Sequence, residues 1–358
     1  MQKKVRNSKL DRTHDREKIT SMLERFGFLP GGQPEFVPLH GDASARRYVR
    51  ITGLDGGRTL VAMLLAPETA RFSEEAMSGP PPEELPFLEM QRVLSEAGVD
   101  VPRVFGADEQ LGVVLLEDLG DQTLEREVSS SPERTAELYA RAVELLVDFQ
   151  KKTSSVGDCI ARKRAFEFDL LRWELDHFLE YMVEVYRGVQ LEGDEKRIVS
   201  EAFDRIASEI ASWRRVIVHR DFQSRNIMLR DGRWVLIDFQ DALMGPELYD
   251  LVALLRDSYV QLAEPVLEQL IRLYLDLCRE KGLERPEQQE FMRRFRLQTL
   301  QRKLKDAGRF VFIEKVKRKP GFIPFIPASL GYARWAFDGL PELTECRRVL
   351  AKAVPELG

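Results

Sequence analysis

Two short stretches hold the residues whose types and spacing could do chemistry. They are His219-Arg220-Asp221-Phe222-Gln223-Ser224-Arg225-Asn226 and, beyond a short apolar run, Ile237-Asp238-Phe239-Gln240-Asp241. An aspartate in a loop can accept the proton of a hydroxyl group. An amide oxygen five residues later and a carboxylate after the next strand are hard oxygen donors of the kind Mg²⁺ prefers. Phosphoryl transfer needs that combination, because it asks for positioning and charge neutralisation more than for covalent work by the protein. In the order H-R-D-x-x-x-x-N, apolar strand, D-F, Asp221 is the candidate base, and Asn226 and Asp238 are the candidate metal ligands. A lone Asp or Asn would merely cap a turn. The full pattern, flanked by the apolar runs Val216-Ile217-Val218, Ile227-Met228-Leu229 and 234–237, reads as a site. His219 reads as a residue that packs and hydrogen-bonds the loop rather than an acid or base. Arg225 is a candidate to steady a substrate or Asp221, with a solvated surface arginine as the alternative.

Positioning such loops requires elements on either side, and the chain supplies them in two blocks. Residues 47–52 and 59–65 are rich in strand formers and are separated by Asp55-Gly56-Gly57, a hairpin signal. Gly79-Pro80-Pro81-Pro82 breaks regular structure. Leu85, Leu88, Val93 and Leu94 give 83–97 a helical period that stops at Gly98, and 104–107 and 112–117 read as short strands. A frayed basic tail over 1–14 and a helix over 15–26 precede this block. After it the chain is mostly helical. Ser131-Pro132 offers an N-cap with proline at the first helical position, and helices are also predicted over 166–186, 194–213, 246–259, 264–281 and 286–305. The apolar runs around the catalytic stretch are too short for helices and suit small strands. Asp118-Leu119-Gly120 is the connection between the blocks. The expectation is an α+β chain with an N-terminal tail and helix over 1–27, a β-rich nucleotide-binding lobe over 28–119 and a helical lobe over 120–358. A cleft between lobes is a favoured place for a ligand. Main-chain groups at Leu116, Glu117 and Asp118 could read the edge of an adenine there, on what is also a plain core strand.

Composition narrows the field. The 358 residues are 44% hydrophobic and 32% charged, with 54 Lys+Arg against 59 Asp+Glu and a formal net charge of −5. That balance argues against a broad nucleic-acid surface, which shows a basic excess. Cys159, Cys278 and Cys346 are far apart and odd in number, so they suggest neither a metal site nor a disulfide framework, and a reducing cytoplasm is the expectation. The first 18 residues are polar, and no run of about 18 apolar residues occurs, so neither a signal peptide nor a membrane span is expected.

From Val216 to Asp257 the chain resembles the aminoglycoside phosphotransferase/choline kinase superfamily, relatives of the protein kinases. Within it, the chain looks most similar to the bacterial anomeric kinases of N-acetylmuramate and N-acetylglucosamine. The residues that carry the resemblance are Gly41-Asp42-Ala43-Ser44 with Arg46-Arg47-Tyr48, His219-Arg220-Asp221 with Arg225-Asn226, and Asp238-Phe239-Gln240-Asp241-Ala242. Gly245-Pro246, Tyr249-Asp250-Leu251 and Leu254-Leu255-Arg256-Asp257 complete the set. The likeness runs from about Gly41 to Phe310. It implies a bilobal protein-kinase-like fold, ATP and Mg²⁺, a small-molecule hydroxyl acceptor such as an amino sugar, and no nucleic acid or membrane partner. By position, Asp221 matches the family's base, Asn226 and Asp238 its metal ligands, and Asp250 an acidic residue that buttresses the catalytic loop. Asp241 either joins a second metal shell or closes a turn.

Two departures stand out. His40-Gly41-Asp42-Ala43-Ser44-Ala45 has one glycine where a phosphate loop usually has three; the resemblance makes Asp42 and Ser44 candidates to contact phosphates. The strand Leu60-Val61-Ala62-Met63-Leu64-Leu65 lacks the lysine that kinase-like folds hold against the α- and β-phosphates. Arg46, Arg47 or Arg50 could supply that charge. Alternation along a strand sends Arg46, Tyr48 and Arg50 to one face and Arg47 to the other. Glu89 on the next helix could pair with one of them or lie on a solvated face. On the acceptor side, Arg302 and Lys305 form a basic cluster that would suit the lactyl carboxylate of N-acetylmuramate and repel a polycationic aminoglycoside; a solvated helix end is the alternative. An aminoglycoside, choline or other small-alcohol kinase is the runner-up, and a nucleotide-binding regulator without turnover is the reading from another class.

Overall fold

The structure is a computed structural model that describes residues 2–29, 34–39, 46–65 and 83–358, with side chains from Thr13 onward. The first block is a five-stranded antiparallel sheet in the order β1-β2-β3-β5-β4, with β1 Glu35–Leu39, β2 Arg47–Thr52, β3 Leu60–Leu64, β4 Val104–Asp108 and β5 Val113–Glu117. Two helices cover it, α1 Gln2–Arg25 and α2 Pro86–Glu96. All five residues of β3 are buried, because both faces are covered. Leu60, Ala62 and Leu64 meet Ile19, Met22 and Leu23 of α1. Val61 and Met63 meet Phe87, Met90 and Leu94 of α2 and join the larger core below.

The N-terminal helix starts at Gln2, not at residue 15 as the sequence suggested. Residues 2–14 contain neither proline nor glycine, so nothing interrupts propagation backwards from the part anchored on the sheet.

The second block is helical. It runs through α3 Leu124–Ser130, α4 Thr135–Thr153, α5 Phe168–His177 continuing as a π-helical stretch over Phe178–Tyr186, and α6 Gly193–Ala211. Two small antiparallel ladders follow, β6 Arg215–Val218 with β9 Leu243–Pro246, and β7 Ile227–Arg230 with β8 Arg233–Leu236. Then come α7 Tyr249–Leu255, α8 Glu264–Glu280, α9 Gln288–Val311, α10 Ile326–Asp338 and α11 Thr344–Ala353. The architecture is thus the α+β, two-lobed one expected. Pro246 ends β9 instead of starting a helix; the left-over helix, α7, is one short buried element. α3 was missed, although Thr123 caps it by accepting the Arg126 N–H. α9 runs six residues past the predicted end, and its last two turns are almost wholly buried.

The lobes are tied at the back of the cleft by arginines. Arg233, from the β7–β8 hairpin, holds Asp100 (2.6 Å) and Glu117 (2.5 Å). Arg230 donates to the Asp118 carbonyl (2.9 Å). From the sheet, Arg50 reaches Asp118 and, with two bonds of 3.0 Å, Asp121.

In the helical lobe, α9 crosses the junction of α5 and its π-helical extension at Gly308. A Cβ built there would lie 2.5 Å from the His177 carbonyl oxygen and 2.9 Å from the Phe178 Cα. Gly308→Ala should therefore destabilise despite alanine's advantage of about 1 kcal/mol in helices. Overpacking against backbone outweighs it, and a net loss of about 2 kcal/mol in urea unfolding is expected.

Candidate active site

The stretch from His219 to Asn226 joins β6 to β7 and is mounted from below on buried side chains. The Asp250 carboxylate, at the start of α7, accepts the backbone N–H groups of His219 (2.7 Å) and Arg220 (2.9 Å). Asp257, just past the end of α7, accepts the N–H (2.9 Å) and hydroxyl (2.6 Å) of Ser224. Between these points Arg302 of α9 donates to the Arg220 carbonyl (2.8 Å) and lies 3.3 Å from Asp221 Oδ1. Burial pushes Asp250 up to about 7, against the two N–H groups and the nearby Arg302 charge. The backbone is bent hard in this loop and again just past β8: Arg220 has φ 77° and Asp238 φ 67°, two of four non-glycine residues with positive φ among the described residues. Such conformations cost on the order of 1–3 kcal/mol each and persist only where the surroundings over-determine them.

Asp221, about a third exposed, is the open carboxylate of the loop. Asn226 donates its amide N–H to the Asp221 carbonyl (2.9 Å), which turns its amide oxygen the other way. The Ile237 N–H donates to the Asn226 carbonyl (3.0 Å), extending the β7–β8 ladder by one rung. Asn226 and Asp238 therefore emerge at the same end of that hairpin. Burial and then the Asp221 charge push the Asp238 carboxyl up to about 6, with Gln240 (2.8 Å) and Arg46 opposing the rise. A carboxylate crowded by another and an amide oxygen turned outward are donors that fit a hard divalent cation. Phe239 beside them stacks on Phe87 of α2, centroids 5.1 Å apart, which fixes this turn against the upper lobe.

The upper wall answers which face of β2 meets the cleft. Arg47 ion-pairs with Asp15 of α1, on the far face. Tyr48 packs into the interlobe core; burial raises its phenol above the usual range against the pull of Arg46, which hydrogen-bonds it. Arg46 and Tyr48 thus lie on the Asp238 side. Arg50 shares their face, but its guanidinium is already paired with the carboxylates of Asp118 and Asp121. Glu89 pairs with none of these arginines; it accepts the Ile160 N–H (2.8 Å). Asp42 and Ser44 lie outside the described residues.

Other predicted residues have different surroundings from those expected. Arg225 donates twice to Glu125 of α3 (2.9 and 3.0 Å) and sits 3.6 Å from the centre of the Tyr259 ring, a brace between the loop and two neighbouring elements. Arg302 has no exposed surface, which leaves it no face for an acceptor. Lys305, 8% exposed, lies 3.4 Å from Asp306. Asp241 accepts from Gln240 (3.3 Å) beside Asp238. At the hinge, the Glu117 N–H is bonded to the Arg103 carbonyl and the Asp118 carbonyl to Arg230, so two main-chain groups of the proposed adenine edge are already engaged.

Sequence reasoning counted Asp257 among the residues of the resemblance but gave it no role, and it missed Glu174. Asp257 closes an apolar run, and Glu174 falls on the buried stripe of Leu171, Leu175 and Phe178, so a charge on an inward face was the available signal. Glu174 accepts from Gln301 (2.7 Å) and lies 3.5 Å from Arg220.

Comparison with known proteins places the chain in a family. Residues 35–288 match the profile described as the phosphotransferase enzyme family. The chain is 33% identical over 333 residues, 92% of its length and 91% of the relative's, to the N-acetylmuramate/N-acetylglucosamine kinase of Pseudomonas aeruginosa. It is 32% identical to the protein of that name from Neisseria meningitidis, covering 87% of this chain and 89% of the other. Among solved structures, a choline kinase from Cryptosporidium parvum superposes with a TM-score of 0.62 at 11% identity, over 96% of this chain and all of that one. Amicoumacin kinase hAmiN, solved in complex with AMP-PNP, Ca²⁺ and Ami, gives 0.58 at 15% identity, over 90% and 93%.

His219 supplies a pH test of this mounting. It is fully buried beside Phe149 and Phe222, and burial lowers its pKa from 6.5 to about 4. The unfolded chain takes up this proton near 6.5 and the folded chain only near 4, so the stability from the neutral ring is present above 6.5 and lost as pH falls. Between pH 7 and 4.5 the wild type should lose on the order of 2 kcal/mol more than His219→Gln, read from urea unfolding at the two pH values.

Proposed function

The chain belongs to the phosphotransferase enzyme family, and on that premise we propose that it moves the terminal phosphoryl group of ATP onto the anomeric hydroxyl of N-acetylmuramate or N-acetylglucosamine, in the recycling of cell-wall sugars. The observation that carries the chemistry is the mounted loop with Asp221 open, and Asn226 and Asp238 at one end of the adjoining hairpin. The name shared by relatives that span about nine-tenths of the chain supports the acceptor class.

In this reading Asp221 orients the acceptor hydroxyl and takes its proton as the oxygen attacks the γ-phosphorus. The bond from that phosphorus to the β-phosphate oxygen breaks, and ADP leaves. Asn226 and Asp238 would hold Mg²⁺, which would neutralise charge on the phosphate oxygens. Arg46, steadied by Tyr48, takes the place of the missing β3 lysine. The adenine uses the main chain of Leu116–Asp118 that the bonds to Arg103 and Arg230 leave over. Lys305 is the acceptor-side cation, and Arg225 steadies the loop rather than the substrate. Three buried, unpaired cysteines support a reducing, cytoplasmic setting.

The deciding measurement is phosphate transfer from labelled ATP to N-acetylmuramate, N-acetylglucosamine, choline and kanamycin. Turnover is expected with the two amino sugars and to fall at least a thousandfold in Asp221→Asn. Turnover on choline or kanamycin alone would overturn the acceptor class, and ATP binding with no transfer would favour a regulator. Arg46→Ala should raise the KM for ATP about tenfold, the worth of one charge-assisted hydrogen bond. Arg47→Ala, on the far face of β2, should leave it within about twofold.

A further inference from the structure

Helix α9 buries more charge than a core helix ordinarily does. Gln298, Gln301, Arg302, Lys303, Lys305 and Asp306 are each under 9% exposed, and Arg302 and Lys303 have no exposed surface. Enclosing charges in a protein interior costs several kcal/mol per ion unless geometry and hydrogen bonds return it, and an apolar side chain of similar volume often does better for stability. What such a network can supply is a fixed geometry, so the question is which group it fixes.

Its contacts converge on the catalytic loop. Arg302 stacks against the Tyr249 ring at 4.8 Å, donates one nitrogen to the Arg220 carbonyl at 2.8 Å and holds the other 3.3 Å from Asp221 Oδ1. Behind it, Asp306 lies 3.9 Å from the Arg302 Nε and accepts from Lys303 at 2.7 Å, while Lys303 also donates to Ser258. On the other side, Gln298 donates to Gln301 and Gln301 to Glu174, which faces Arg220. Arg302 is thus braced from behind and from the side, with its donor edge on the loop. Its two loop contacts span a carbonyl and the side chain of the next residue, a distance that fixes the Asp221 carboxylate relative to its own backbone.

From this arrangement we propose that Arg302 is a positioning residue for the catalytic base. It occupies Asp221 Oδ1, so that Oδ2 is the oxygen presented to the acceptor hydroxyl. The inference rests on Asp221 being the base. It gives Arg302 no contact with substrate, in contrast to the acidic-sugar pocket that its place in the sequence suggested. A rigid carboxylate with one oxygen engaged removes the rotation that would otherwise have to be frozen at each turnover.

The test is a double-mutant cycle on kcat and KM with N-acetylmuramate and N-acetylglucosamine. Arg302→Gln should lower kcat about a hundredfold while the KM values for ATP and sugar stay within about threefold. Arg302→Lys, which keeps a cation near Oδ1 but cannot make both contacts, should recover part of the loss. In an Asp221→Asn background, where no carboxylate remains to be held, Arg302→Gln should cost less than threefold more. If Asp221→Asn keeps wild-type turnover, the base assignment fails first. If Asp221→Asn is inactive yet Arg302→Gln leaves kcat unchanged, or raises only the sugar KM, the base stands and the positioning role is refuted. Should Arg302→Gln unfold, the folded Arg302→Lys decides: unchanged kcat with a raised sugar KM overturns the proposal, and lowered kcat at constant KM supports it.

Discussion

A single buried carboxylate sets the terms for this structure. Asp250 accepts two consecutive backbone N–H groups from a loop whose second residue is left-handed without being glycine. A backbone bent that way turns adjacent amides in one direction and leaves them to be satisfied together. Water cannot do so in the interior, and a neutral side-chain amide brings only one acceptor oxygen. A carboxylate brings two, which is why an acidic residue stands at the head of a short helix that is otherwise apolar. Asp257, at the other end of the same helix, repeats the device on Ser224. The loop is thus held at both ends by carboxylates, one at the start of α7 and one just past its end.

The rest of the lobe follows from keeping those acids dry and their charge bearable. α9 lies close by and brings cations, and burial works against the Arg302 charge while Tyr249 and the carboxylates of Asp306, Asp221 and Glu174 hold it up. Lys303 responds the other way, with burial lowering its pKa against the attraction of Asp306. Hydrophobic packing closes the network from outside, with Phe166, Phe178 and Leu304 in one core and Phe149, Phe222 and Leu251 in the other. Stability and function divide here: the apolar clusters supply cohesion, and the polar layer between them supplies orientation.

Much of this was legible in the sequence, and the reason lies in locality. Asp221, Asn226 and Asp238 are separated by one turn and one hairpin, so their spacing already encodes their meeting; the hairpin over 47–64 was legible in the same way. Asp250 could be assigned a buttressing role through resemblance. Long-range partners were not legible. That Arg302 meets Asp221 across 81 residues, or that Arg225 is taken by Glu125 across 100, depends on how helices pack, and no local pattern carries it. The arginines on and just before β2 show the intermediate case: alternation separated Arg47 from Arg46 and Arg50, but only Asp15 on one side and Asp118 on the other told which face was which. At the C-terminal end, α10 and α11 belong to the helical core although no helix was assigned to them.

The arginines at the back of the cleft have a consequence for ligand chemistry. The Asp118 carbonyl is already spoken for by Arg230, and Glu117 is gripped through both its backbone and its carboxylate. A purine mimic drawn up to engage three successive hinge groups would find one of them capped by a guanidinium from the opposite lobe, and would have to evict it. If the adenine lies along Leu116–Asp118 as proposed, compounds that grip that strip with fewer prongs, and take their selectivity from Arg46 just before β2, suit this cleft better than scaffolds that need an open hinge.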